Sequence, residues 1–179
     1  MTAQKVFLIG YMASGKSTLG KELSQKINCP FVDLDNKVEE QMGMRIEEAI
    51  ERFGELHFRK HEHNTLKELL LSMPGSAVVA LGGGTPVFYD HMEMLNAQGV
   101  TVFLDVPLKE LTQRLEGDLD RPLLKNHLDK TEFIAKHLFE RRPYYSLARH
   151  RLVGSEITVE DLLELLNSAD FHRLVVFHN

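Results

Sequence analysis

An apolar segment near the N-terminus runs directly into a phosphate-binding sequence. The run Val6-Phe7-Leu8-Ile9 is followed by Gly10-Tyr11-Met12-Ala13-Ser14-Gly15-Lys16-Ser17, which fits the P-loop pattern Gly-x-x-x-x-Gly-Lys-Ser. The glycines permit backbone angles that a Cβ would forbid, so successive amide groups can turn inward around a phosphate. This pattern requires a buried strand before it and a helix after it. A strand–loop–helix unit therefore begins the fold.

The same loop predicts a bound nucleoside triphosphate. Lys16 places a positive charge at the β- and γ-phosphates, and the Ser17 hydroxyl is a ligand for Mg²⁺. The helix predicted over 16–27 directs its positive N-terminal end at the same anion. The residues predicted to contact the nucleotide in this loop are Gly10, Ala13, Ser14, Gly15, Lys16, Ser17 and Thr18.

The composition is typical of a single globular domain, here 1–179. Of the 179 residues 43% are hydrophobic, and the formal net charge of −5 gives no support for a nucleic-acid partner. No apolar run approaches the ~20 residues that cross a bilayer, so no membrane partner is expected. The chain has one cysteine, Cys29, and its N-terminus leads straight into a strand without a signal peptide. Both features predict a cytoplasmic location.

Short apolar runs alternate with helical patterns, which predicts an α/β fold with a parallel sheet and helices on both faces. The mildly apolar tail 171–179 covers part of the core, pairs with a sheet edge or is disordered; these alternatives stay open. The predicted strands cover 5–9, 31–34, 77–81, 100–105 and 150–153, and the predicted helices cover 16–27, 36–52, 55–72, 90–98, 107–116, 130–147 and 158–168.

Two carboxylates follow the second predicted strand, at the sheet edge where parallel sheets bind ligands. Asp33 and Asp35 are two residues apart, so in a strand both side chains leave on the same side. One can serve Mg²⁺ or accept a proton, and the other can bind a hydroxylated acceptor. Alternatively, Asp35 caps the next helix while Asp33 faces solvent. Their position opposite a P-loop favours the functional interpretation.

Three consecutive glycines, Gly82, Gly83 and Gly84, follow the third predicted strand. A plain turn seldom needs more than one glycine, because each adds backbone entropy to the cost of folding. We therefore predict a close backbone approach that offers amide groups to a polar ligand. The alternative is a flexible connection without contacts.

Charged side chains on the helix predicted over 55–72 offer a second functional group. Arg59 and Glu62 are spaced i,i+3, so the glutamate can orient the guanidinium and leave its other edge for a carboxylate. A surface ion pair would have the same spacing. His57, His61 and His63 lack a further ligand for a zinc site, and we interpret them as solvent-exposed helix residues.

Two further arginines lie beyond the fourth predicted strand. Arg121 belongs to a loop-like stretch, 117–128, that is typical of a mobile lid carrying an arginine to the transferring phosphate. Arg141 lies near the end of the helix predicted over 130–147, and its forked donors suit a carboxylate.

In this order and at these spacings, the motifs resemble the shikimate kinase family over about residues 5–166. The resemblance rests on the P-loop, Asp33-Leu34-Asp35, Phe58-Arg59-Lys60-His61-Glu62, Gly82-Gly83-Gly84, Arg121-Pro122-Leu123-Leu124 and Arg141-Arg142-Pro143-Tyr144-Tyr145. It implies a monomer with the five-stranded parallel sheet of nucleoside-monophosphate kinases. It also implies ATP-dependent phosphorylation of the 3-hydroxyl of shikimate, a step toward chorismate and the aromatic amino acids.

The resemblance further implies a role for each motif. Lys16 and Arg121 would stabilise the transferring phosphoryl group, and Asp35 would bind substrate hydroxyls and act as the base. Ser17 would ligate Mg²⁺, with Asp33 organising its water shell. Shikimate would be held by Arg59, Arg141 and the backbone of Gly82, Gly83 and Gly84. The substrate-binding helices would lie within about 36–72. Arg114 and the turn 154–156 would lie near adenine.

The chain departs from the family pattern at two places. Ala13 stands where the family usually has glycine, and Ala49-Ile50 stands where it usually has Ile-Phe. Two rival functions remain open. One is a related kinase acting on a substrate such as gluconate, and the other is a nucleotide-binding module without catalysis.

Overall fold

A five-stranded parallel sheet forms the centre of the fold. The computed structural model describes residues 4–73, 75–116 and 130–168. Within these ranges the strand order is β2-β3-β1-β4-β5, and every neighbouring pair runs parallel. The predicted parallel sheet is thus confirmed. The strands are β1 (Lys5–Ile9), β2 (Phe31–Asp33), β3 (Ala77–Ala80), β4 (Gly99–Asp105) and β5 (His150–Val153).

Helices cover both faces of this sheet, as the unbroken apolar character of β1 requires. Phe7 and Ile9 join the hydrophobic core on one face, and Val6 and Leu8 join the core on the other. The helices are α1 (Lys16–Lys26), α2 (Leu34–Met42), α3 (Ile46–Phe53), α4 (Glu55–Ser72), α5 (His91–Gln98), α6 (Leu108–Glu116), α7 (Lys130–Tyr145) and α8 (Val159–Asn167), with a 3₁₀ turn at Thr85–Val87.

The prediction of a single helix over 36–52 is wrong, because Gly43 divides this segment into α2 and α3. Gly43 has a φ of 66°, in the left-handed region that ends helices, and its amide donates to the Glu39 carbonyl at 2.9 Å. The Glu39 side chain then accepts the Ile46 amide at 3.0 Å, which caps the start of α3.

The order of the strands places the candidate site. The strands that follow β1 in the chain, β2 and β3, lie on one side of it in the sheet, and β4 lies on its other side. A crevice therefore opens at the carboxyl end of β1.

A buried carboxylate at the end of β4 also fixes α7 against this edge. The Asp105 carboxylate accepts hydrogen bonds from Arg142 Nη2 at 2.8 Å and from Arg151 Nε at 2.7 Å. Arg142 is therefore a structural residue.

Two predicted segments lie outside the described residues. They are the lid 117–128 with Arg121 and the C-terminal tail 171–179. Over the ranges that are described, no helix is long and apolar enough to cross a membrane.

Candidate active site

The P-loop curls around the N-terminus of α1 through three residues with positive φ. Gly10 has a φ of 153° and Gly15 of 94°, and Gly15 is the N-cap of α1. A Cβ on Gly10 would lie 2.8 Å from Ser14 Oγ and 2.9 Å from the Leu104 carbonyl, closer than such atoms normally come. Glycine is thus required at Gly10 by both angle and space.

Ala13 is the third of these residues, with a φ of 61°. This left-handed conformation costs a residue with a Cβ about 1–2 kcal/mol. The chain therefore carries backbone strain at the position where the family that it resembles usually has glycine.

Replacing Ala13 with glycine should raise the free energy of unfolding by about 0.5–1 kcal/mol, because relief of strain exceeds the added entropy of the unfolded chain. Urea unfolding followed by circular dichroism measures the change. Ala97→Gly is the matched control, since Ala97 is an exposed residue within α5. It should destabilise by about 0.5–1 kcal/mol, and equal losses for both variants would contradict the strain at Ala13.

Lys16 is folded back over the loop that it follows. Its Nζ donates to the carbonyls of Gly10 at 3.0 Å and Tyr11 at 2.8 Å. The ammonium group therefore stands inside the phosphate-binding turn. The adjoining pocket has a volume of about 270 Å³ and is lined by Met12, Ala13, Gly15, Lys16, Ser17, Thr18, Asp33, Asp35, Leu81 and Gly83.

Asp33 joins the P-loop to the end of β2. One carboxylate oxygen accepts the Ser17 hydroxyl at 2.6 Å, and the other accepts the amide of Asp35 at 3.1 Å. Asp33 is thus the N-cap of α2, and the alternative in which Asp35 caps the helix is wrong. β2 ends at Asp33, so Asp35 lies in the first helical turn. Both carboxylates nevertheless line the same pocket.

The oxygens of Ser17 and Asp33 fit Mg²⁺, which prefers hard oxygen ligands and keeps several waters. Over the described ranges, no group of three His, Cys, Asp or Glu side chains could hold a metal alone. A Mg²⁺ ion that is shared with nucleotide phosphates needs only one or two protein ligands.

Asp35 is partly buried opposite Lys16. Withdrawal from water raises its pKa to about 6, and the charges of Glu62 and Asp33 act in the same direction. Lys16 and Arg59 oppose this shift. A carboxyl group with such a pKa is ionised at neutral pH yet still basic enough to accept a proton, as a general base must be.

Two of the three glycines, Gly82 and Gly84, make room for the site's own side chains. A Cβ on Gly82 would overlap Asp35 Oδ1, and a Cβ on Gly84 would overlap the guanidinium of Arg59. The carbonyl of Gly83 accepts the Tyr145 hydroxyl at 2.6 Å. The alternative of a flexible connection without contacts is therefore wrong.

Arg59 is 8% exposed and held on several sides. Its Nη1 donates to Glu62 at 3.0 Å, while its Nε and Nη2 donate to Glu55 at 3.3 and 3.2 Å. The guanidinium carbon lies 4.8 Å from the Phe58 ring centre and 4.4 Å from that of Phe88. The alternative of a surface ion pair is wrong. The group is oriented, and three of its five N–H donors are engaged in these bonds.

Arg141 reaches the same region from α7. Its Nη1 faces Gly83, 3.7 Å from the position of a Cβ built there, and its charge opposes the rise in the pKa of Tyr145. Burial raises the pKa of Tyr145 to about 12, so this hydroxyl stays neutral. Arg59 and Arg141 thus approach the glycine run from two different helices.

Arg114 ties the P-loop to the turn after β5. It donates to the Ala13 carbonyl at 3.2 Å, to the Ser155 carbonyl at 2.5 Å and to Glu110 at 2.8 Å. Arg114 therefore joins the turn 154–156 to the P-loop, and their predicted position near adenine stays a prediction.

Several polar contacts of the site could not be predicted from the sequence. Tyr11 in the P-loop bonds His137 Nδ1 of α7 at 3.0 Å. Burial and the charge of Arg141 lower the pKa of His137 to about 4, so it adds no charge at neutral pH. His63 was expected to face solvent, which is wrong, because its Nδ1 lies 2.8 Å from Nε2 of buried His91. Side chains that meet across helices leave no periodic signal in the sequence.

Comparison with known proteins points to one family. The family model described as shikimate kinase matches residues 12–170. The shikimate kinase of Flavobacterium psychrophilum is 38% identical over 172 residues, which cover 94% of this chain and 99% of the relative. The structure of shikimate kinase from Bacteroides thetaiotaomicron superposes with a TM-score of 0.85 at 37% identity, covering 92% of this chain and 99% of the other. That of Acinetobacter baumannii shikimate kinase in complex with shikimate gives a TM-score of 0.80 at 28% identity, covering 97% and 93%.

A gluconokinase shares the fold. The enzyme from Sinorhizobium meliloti gives a TM-score of 0.58 at 15% identity, with 96% of this chain and 93% of that chain covered. Identity this low indicates a common architecture alone. The choice between shikimate and gluconate as the phosphoryl acceptor therefore depends on side chains at the strand ends.

Proposed function

The chain belongs to the shikimate kinase family, and we propose that the site described above transfers the γ-phosphoryl group of ATP to the 3-hydroxyl of shikimate. The products are shikimate 3-phosphate and ADP, and the step leads toward chorismate and the aromatic amino acids. One observation carries this assignment. Lys16 of the P-loop and Asp35, with its pKa raised to about 6, face one pocket.

Asp35 is the proposed general base. Its carboxylate accepts the proton of the 3-hydroxyl as the hydroxyl oxygen bonds the γ-phosphorus. The bond from that phosphorus to the bridging oxygen breaks, and ADP leaves with the electron pair. Lys16 exchanges its bonds to the loop carbonyls for phosphate oxygens and stabilises their charge.

Arg59 and Arg141 are the proposed partners of the shikimate carboxylate. Arg59 is already oriented by Glu62 and by two aromatic rings, so little conformational freedom is lost when a carboxylate pairs with it. The backbone of Gly82, Gly83 and Gly84 lies between this arginine and Asp35. The structure of Acinetobacter baumannii shikimate kinase in complex with shikimate supports the same acceptor.

Ser17 and Asp33 are the proposed holders of Mg²⁺, the first as a ligand and the second through water. When bound, Mg²⁺ neutralises charge on the phosphates. The 2.6 Å bond between these two side chains supports their sharing one cation.

The remaining assignments complete the proposal. Arg121 stabilises the transferring phosphoryl group from a lid at 117–128, and Arg114 lies near adenine. We further propose that 1–179 acts as one kinase domain, with substrate helices within about 36–72. A monomer in the cytoplasm fits the single cysteine and the family resemblance.

The purified protein should consume ATP in a coupled assay when given shikimate and Mg²⁺, and should not do so with gluconate. The reason is that the chain belongs to the shikimate kinase family and shares only its architecture with a gluconokinase. Arg59 also lies near enough to the proposed base for its charge to act on the pKa of Asp35. Arg59→Met should raise the KM for shikimate about 100-fold, because an oriented charged bond to the carboxylate is lost. Robust turnover with gluconate alone would overturn the acceptor, and tight ATP binding without turnover would favour the non-catalytic module.

A further inference from the structure

A series of hydrogen bonds, joined through Thr85, links Arg59 to His63 one turn further along α4. Glu62, which is 1% exposed, accepts Arg59 Nη1 on one carboxylate oxygen and the Thr85 hydroxyl on the other, at 3.0 and 2.6 Å. The Thr85 carbonyl lies 2.8 Å from His91 Nδ1, and His91 Nε2 lies 2.8 Å from His63 Nδ1. We call His63, His91, Thr85 and Glu62 the buried polar chain.

The direction of these bonds follows from their acceptors. The Thr85 carbonyl can only accept, so His91 Nδ1 carries the hydrogen. Burial lowers the pKa of His91, so its ring is neutral at neutral pH and its Nε2 is an acceptor. His63 therefore donates from Nδ1. Each member has one defined role, and the far end of the chain is the carboxylate that orients Arg59.

The outer end of the chain is closed by a strained aromatic residue. Tyr89 has a φ of 53°, a conformation that is costly for a bulky side chain. Its ring stacks on His63 with centroids 4.4 Å apart, and His63 stacks on His91 at 5.1 Å. The strained backbone of Tyr89 thus places its ring over the two histidines.

We propose that His91, seconded by His63, is a positioning residue that sets the affinity of this kinase for the carboxylate of its acceptor. This inference rests on the proposed function of Arg59. The Thr85 hydroxyl occupies one oxygen of Glu62 and leaves the other to Arg59. Glu55, which is 54% exposed, accepts from another nitrogen of the same guanidinium at 3.2 Å. Without His91, Thr85 releases Glu62, and Arg59 turns toward Glu55 and solvent.

Steady-state kinetics of His91→Leu test the proposal. The KM for shikimate should rise about tenfold, the effect of one lost hydrogen bond to a charged group, while the KM for ATP stays within about twofold. His91→Asn should restore most of the affinity, because its amide can donate to the Thr85 carbonyl. Asn96→Leu is the matched control. It removes two hydrogen bonds from the other end of α5, to Thr101 and the Leu147 carbonyl, and should lower Tm with KM unchanged.

A second variant, His63→Phe, keeps the proposal testable if His91→Leu does not fold. His63→Phe keeps the stack on Tyr89 but loses the bond to His91, and it should raise the KM for shikimate about threefold. Unchanged shikimate KM in both histidine variants, with Tm lowered as in Asn96→Leu, would overturn the positioning role.

An Arg59→Met background separates this proposal from the proposed function. In that background, His91→Leu should have no further effect on the KM for shikimate, since residues acting through one group are not additive. If Arg59→Met alone leaves that KM unchanged, the assignment of Arg59 fails. If Arg59→Met raises it but His91→Leu adds the same factor in both backgrounds, Arg59 stands and the buried polar chain does not act through it.

Discussion

Replacing Asp35 with asparagine should make the protein more stable at about pH 8 and nearly inactive. Loss of a general base lowers kcat by about 10²- to 10⁴-fold. The folded protein holds the pKa of Asp35 at about 6, whereas an unfolded chain has about 3.9. Between these values the folded state binds more protons, so its stability falls as pH rises, and the loss is complete above about 6. The neutral amide removes this loss of about 1–2 kcal/mol.

Two measurements check both halves of this prediction. Thermal unfolding should give a higher Tm for Asp35→Asn at about pH 8 and a smaller difference at about pH 4. For the unmodified protein, kcat/KM should rise with pH up to about 6 and then level off, since the base must be ionised. Asp90→Asn removes the same charge from an exposed side chain, which lies at the N-cap of α5 but makes no capping hydrogen bond. It should change neither kcat nor Tm appreciably, and an Asp35→Asn protein that turns over normally would rule out the base.

The parts of this molecule that sequence could predict are those with local causes. Four apolar residues before the P-loop require a strand buried on both faces, and the P-loop requires a helix after it. Because strands of a parallel sheet end at one edge, Asp33 and Gly82 were expected to approach that loop. The structure places Asp33 and Gly83, the neighbour of Gly82, beside the P-loop.

What sequence could not predict depends on contacts between distant elements. The pKa of Asp35 is set by burial and by Glu62, which belongs to another helix. The glycine run was expected to make room for a ligand, whereas Asp35 and Arg59 fill the space beside Gly82 and Gly84. His63 and His91 are 28 positions apart, and neither belongs to a motif.

Replacing Lys16 with methionine should also abolish most turnover, but with the opposite effect on stability. A preorganised charge at the transferring phosphate contributes about 10²- to 10³-fold to kcat. In the structure the same ammonium donates to the carbonyls of Gly10 and Tyr11. Their loss should lower the free energy of unfolding by about 1–2 kcal/mol. Lys16 also holds down the pKa of Asp35, so the residual activity should reach its plateau above about pH 6.

Lys21→Met is the matched control, because Lys21 is an exposed residue on the same helix α1. It should leave kcat and the pH profile unchanged. A Lys16→Met protein that unfolds at a higher Tm than the parent, or keeps kcat within about tenfold, would contradict the role of the lysine. Asp35→Asn and Lys16→Met thus both remove catalysis while moving stability in opposite directions. Loss of turnover in these two variants therefore cannot be a common consequence of misfolding.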